Sequence, residues 1–136
     1  METLVVPGQT KGSVKNALGF YRVEGGNIQN ALMIRTKRIS DTITEITYFT
    51  LKGSKLFAVR LNDKGQKATV LYSRPNIQAD KNMDTVSCSS EYTLACMEDF
   101  YSNHGWFSVV LTAATLWDPA IGVSVVASCA IGSCVL

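Results

Sequence analysis

Residues 42–61 read TITEITYFTLKGSKLFAVRL. Two runs rich in β-branched and aromatic residues flank Gly53-Ser54. In the first, Ile43, the threonines, Tyr48 and Phe49 suit a pleated, half-buried surface. In the second, Phe57, Val59 and Leu61 fall on one side and Leu56, Ala58 and Arg60 on the other, the period-2 signature of a strand. Downstream, the turn-forming NDKGQ of 62–66 precedes one more strand-like run, KATVLYS, before Pro75 and the polar NIQADKN end the series. Upstream, ALGFYRVE and NIQNALMIRTK lie on either side of Gly25-Gly26, a second hairpin signal. Five short strands at this spacing predict an antiparallel β-meander with one buried face. Such a face needs cover. Residues 1–16 read as a mobile arm. Its apolar run TLVV is too short for a signal-peptide core and follows an acid, Glu2, so no Sec signal is visible.

A chain of 136 residues fits one domain or two small units. Its charge is segregated. All 13 Lys and Arg lie within 1–81, against six acids, a net of +7. Residues 82–136 carry five acids and no Lys or Arg, a net of −5. The four cysteines (Cys88, Cys96, Cys129 and Cys134) obey the same boundary. The organisation read from this is an arm over 1–16, a β-rich unit over 17–74, a linker over 75–87 with a candidate processing site, and an apolar cysteine-bearing unit over 88–136.

The last unit reads as helices. Leu94, Met97 and Tyr101 fall at helical spacing, as do Tyr92, Cys96 and Phe100. The SNHGW stretch breaks this helix. WFSVVLTAATLW then runs to Trp117 without a charge, Asp118 is placed to cap the next helix and Pro119 to open it. Residues 119–136 are uncharged. Trp106, Phe107 and Trp117 are candidate membrane or partner contacts, since tryptophan favours the water–lipid boundary. Rich in Ala, Gly, Ser and Val, the run is a weak insertion signal and suits close helix packing. The fold class that follows is α+β: an N-terminal antiparallel meander, then a C-terminal helical hairpin.

Four cysteines in a short segment permit two disulfides, with three connectivities. Buried thiols and a zinc site are the alternatives. The gaps of 8, 33 and 5 positions contain no C-x-x-C pair and no second histidine joins His104, which argues against metal. No catalytic constellation can be assembled, because His104 is the only histidine and lies in a turn-like stretch. No phosphate loop or dinucleotide motif is present. Basic residues alternate with apolar ones along the strands, the pattern of a solvated face more than of a nucleic-acid stripe. Gly25-Gly26 has a second reading as a double-glycine processing site, for which Val23 and Phe20 are suitably placed and Lys15 and Gly19 are not. The turn reading is preferred.

The β-rich unit, from VEGGNIQNALMIRTK through ATVLYS, followed by a polar linker and a cysteine-bearing helical unit from Cys88, resembles the halocin-like bacteriocin precursors. The resemblance covers roughly 20–136 in layout and rests on organisation more than on a short motif. It implies a pro-region or self-immunity domain, cleavage within 75–87, and a secreted, membrane-directed antimicrobial peptide. The bacterial membrane would be its partner, and the pro-region would hold the peptide intramolecularly beforehand. No cofactor, metal or nucleic acid is implied. Cysteine pairing from the first helix to the tail is favoured, because two such links would clamp 88–136 shut. Two other classes stay open: an uncleaved immunity or interaction protein with the helices as permanent core, and a small membrane-associated protein held by 106–136.

Overall fold

The computed structural model describes residues 2–22, 29–64, 67–73, 94–98, 101 and 117–129. Six strands form one sheet in chain order: β1 (Glu2–Lys11), β2 (Val14–Arg22), β3 (Gln29–Ser40), β4 (Ile43–Phe49), β5 (Lys55–Asn62) and β6 (Lys67–Ser73). Every neighbouring pair is antiparallel. Two short helical segments follow, α1 (94–98, with 101 also helical) and α2 (Pro119–Cys129). The mixed α+β class and the antiparallel meander read from the sequence are thus present.

The meander has one more strand than the sequence reading counted. Residues 2–11, read above as part of a mobile arm, form β1, and residue 14 opens β2. An edge strand needs a ladder partner on one side only, so it tolerates what disqualifies a central strand. Pro7 lies in β1, and the register slips between Pro7 and Thr10. Gly12, at φ 58°, makes the tight turn into β2. A second positive-φ glycine, Gly53 at 91°, sits in the β4–β5 turn, where its N–H donates to the Thr50 carbonyl at 2.9 Å.

One face of the sheet is the core. Ala17, Ile34, Tyr48 and Phe57 lie opposite one another across β2–β5, and Thr36, Ile46 and Val59 form the adjoining row. All are buried. Strict alternation would send Leu56 to the opposite face, but it is fully buried in the same core cluster as Phe57. The register slips between Tyr48 and Phe49 here, and such a bulge lets consecutive residues share a face. Tyr48 is also fully buried, whereas Tyr72 is 37% exposed.

The helices complete this core. Leu94, Met97 and Tyr101 of α1 and Val123, Val125, Val126 and Cys129 of α2 belong to the same buried cluster as the strands. The helical spacing of 94, 97 and 101 read from the sequence therefore marks the packed side of α1. At the start of α2 the Ala120 N–H donates to Asp118 Oδ1 at 3.0 Å, so Asp118 caps and Pro119 follows, as the sequence predicts. Apolar nearly all round, α2 has the character of a buried helix rather than a surface one.

Candidate functional site

The place where chemistry and topology converge is the seam between the sheet and the two helices. Two glycines set its closeness. A β-carbon placed on Gly19 of β2 would stand 2.5 Å from Val123 Cγ2, and one on Gly122 of α2 would collide with Ile34 Cδ1 and approach the Tyr48 hydroxyl at 3.2 Å. The helix and the sheet thus each give up a side chain where they meet.

At the centre of the seam lie three aromatic rings from β4, β5 and α1. Tyr48 meets Phe57 edge-on with centroids 6.1 Å apart, and Phe57 stacks on Tyr101 at 6.0 Å. Both separations suit favourable ring quadrupole contact. The Tyr48 and Tyr101 hydroxyl oxygens are 2.7 Å apart, and Tyr48 donates to the Gly122 carbonyl at 3.1 Å. A tyrosine has one hydroxyl proton. With that of Tyr48 directed to Gly122, Tyr101 is the donor between the two rings. One hydroxyl of the sheet therefore ties down both helices. Burial raises the pKa of Tyr48 well above the ordinary tyrosine value and raises that of Tyr101 too, because a phenolate there would lose its hydration. Both remain neutral hydrogen-bonding groups at physiological pH.

The second joint is covalent. Cys96 of α1 and Cys129 of α2 form a disulfide with Cα atoms 5.5 Å apart, closing a span of 33 positions. This is a link from the first helix to the tail, the kind of pairing favoured above. Their sulfurs are bonded to each other, so neither is a thiolate ligand. Among the described residues no group of three or more His, Cys, Asp or Glu is placed to hold a metal.

The third joint lies at the entry to α2. Trp117 is half-buried; its carbonyl accepts from Thr36 Oγ1 at 3.2 Å, and Lys15 Nζ sits 4.4 Å from its ring centroid. That is cation–π distance. A cation of the basic sheet thus rests on an aromatic of the uncharged segment. Gly25, Gly26, Cys88, His104, Trp106, Phe107, Cys134 and the linker 75–87 lie outside the described residues.

Sequence reasoning did not single out Gly19, Gly122, Lys15 or the Tyr48–Tyr101 pair. Tyr48 carried a usable signal, since it continues the Thr44, Ile46 alternation that lines the inner face. The two glycines and Lys15 carried none, because what gives them a role is the element packed over them. No protein-family model, no curated protein and no solved structure matches the chain.

Proposed function

We propose that the chain is the precursor of a secreted bacteriocin-like peptide, in which the sheet is the pro-region and the stapled helical unit of 88–136 the membrane-directed product. The observation that carries this reading is where the covalent bond falls. The Cys96–Cys129 disulfide joins α1 to α2 and neither of them to the sheet. A cut within 75–87 would leave the helices linked to each other and held to the sheet by noncovalent contacts alone. The finer architecture of the proposal is a helical hairpin closed by two disulfides, the second formed by Cys88 and Cys134. A unit of this size needs such staples once it leaves its partner.

Several features fit a held and then released peptide. Residues 1–81 carry +7 and residues 82–136 carry −5, so the two parts attract each other, within the limits that salt screening sets. Val123, Val125, Val126 and Cys129 of α2 are buried while it lies on the sheet. No helix among the described residues is long and apolar enough to cross a membrane. A disulfide also fits an oxidising compartment.

A second reading, an uncleaved immunity or interaction protein, draws on one observation of its own: sheet and helices share one continuous core, so the helices also serve as the lid the sheet requires. Intact mass measurement on the producing cells and their medium, with and without reductant, separates the two. A secreted fragment, about two mass units lighter per disulfide than its reduced form, supports the precursor. Full-length chain confined to the cells supports the uncleaved protein.

A further inference from the structure

The helices cover one face of the sheet. The register shows what the other face carries. Val6, Leu18, Met33 and Phe49 lie opposite one another across β1–β4, and Leu4 lies in the adjoining row, opposite Phe20. Leu4 is 61% exposed and Val6 42%. Arg35, Lys37, Lys55 and Lys67 share this face, all exposed. Of its carboxylates, Glu45 is taken by Arg60 at 2.8 Å, and Glu2 stands at the β1 end of the face in register with Arg22. The face is therefore aliphatic at its β1 edge and cationic across its middle and far edge.

Between the two regions lies a half-open hollow of about 270 Å³, lined by Leu18, Met33 and Phe49 with Arg35 at its lip. The guanidinium is fixed there from two sides. Arg35 Nε donates to Asn16 Oδ1 at 3.0 Å, and the guanidinium carbon sits 5.2 Å from the Phe49 ring centroid. Its Nη groups have no partner among the described residues. An apolar hollow with a fixed cation at its mouth matches an anionic amphiphile: the acyl part enters and the phosphate meets the fork of the guanidinium.

We propose that this face docks the protein on an anionic lipid surface, with Leu4 and Val6 entering the interface and Arg35, Lys37, Lys55 and Lys67 facing the headgroups. Nucleic acid fits less well. Its single strands bind by stacking bases on open aromatic rings. Of the aromatics of this face, Phe49 and Tyr72 each carry a cation on the ring, Arg35 and Lys55 respectively, and Phe20 is half-buried in register between Leu4 and Ala31. The exposed apolar residues of β1 are aliphatic, which offers bases nothing to stack on. Docking through the sheet would place the precursor at a membrane before the helical unit is released, and it involves no residue of the seam.

The test uses the full chain and two charge-matched variants, sedimented with phosphatidylcholine vesicles, with and without phosphatidylglycerol. Arg35→Gln/Lys37→Gln removes two cations from the face, and Lys52→Gln/Lys64→Gln removes two from the turns at the sheet's ends. All four side chains are exposed, so the core is untouched. The expected result is binding only to the phosphatidylglycerol vesicles, weakened about thirtyfold in the face variant and less than about threefold in the turn variant. Equal loss in the two variants, undiminished binding in the face variant, equal binding to both vesicle types, or tighter binding to a single-stranded oligonucleotide would each overturn the proposal. Because nothing is cleaved in this assay, its failure would leave the precursor reading standing.

Discussion

Replacing Tyr48 by Phe removes one oxygen atom from the centre of the seam and leaves the ring. The edge contact with Phe57 survives, and so does the volume. What goes is the donation to the Gly122 carbonyl at 3.1 Å and the acceptance from Tyr101 at 2.7 Å. Buried neutral hydrogen bonds contribute about 1 kcal/mol each. Tyr48→Phe is therefore expected to lower stability by about 2 kcal/mol, and the bond it shares with Tyr101 accounts for about 1 kcal/mol of that. The Tyr48→Phe/Tyr101→Phe variant loses the shared bond once, so the costs of the two single variants should together exceed its cost by about 1 kcal/mol, the coupling between the positions. Urea unfolding of the four proteins, followed by far-ultraviolet circular dichroism, measures this directly. At a slope of about 2 kcal/mol per molar, the Tyr48→Phe midpoint should fall by about 1 M. Fully additive costs, or a Tyr48→Phe variant as stable as the parent, would refute the assignment of Tyr48 as the hydroxyl that joins both helices to the sheet.

The other expectations rest on separate parts of the seam. Gly19→Ala drives a methyl into Val123, whose branched side chain cannot rotate aside freely, and should cost about 1–3 kcal/mol in the same unfolding assay. Cys96→Ala/Cys129→Ala opens a 33-position loop and should lower stability by about 3–4 kcal/mol on chain-entropy grounds, read as a drop in thermal midpoint in non-reducing buffer. Burial raises the folded pKa of both Tyr48 and Tyr101 above the unfolded value. The folded state then binds more protons than the unfolded chain, so their contribution is complete below about pH 10 and is lost as pH rises through the folded values. Unfolding measured from pH 8 upward should show a steep alkaline decline that becomes shallower in the Tyr48→Phe/Tyr101→Phe variant.

The strands from Ala17 to Ser73 were largely legible because their side chains alternate and their turns carry Gly, Asn and Asp. Where alternation breaks, at Leu56, the cause is a register slip set by pairing with β4, which a single strand does not encode. β1 was missed for a related reason. Pro7 and Gly8 weaken any strand signal, and only the presence of β2 as a ladder partner makes an edge strand of them. Within the seam, the helical spacing of Leu94, Met97 and Tyr101 and the Asp118-Pro119 start of α2 were readable, since caps and helical periodicity are local. The pairing of Cys96 with Cys129 was one of several connectivities the spacing permitted, and the fold decides among them by bringing α1 beside α2. The complementarity of Gly19 with Val123, and of Lys15 with Trp117, lies in no stretch of sequence. It arises when segments about a hundred positions apart are laid on each other. The same holds for the outer face, whose cations and aliphatics are scattered along the chain and gather only in register.

The most direct measurement of the central claim is a cut. A recognition site for a sequence-specific protease is placed within 75–87 of the full-length chain, and growth inhibition is measured across a panel of bacteria before and after cleavage. The account predicts that the intact protein is inactive, and that the cleaved, oxidised protein inhibits growth at micromolar concentration with its disulfide-linked helical unit separable from the sheet. Cleaved protein that inhibits none of the panel after the two parts have been separated would contradict the precursor reading and leave the helices as the permanent lid of an uncleaved fold.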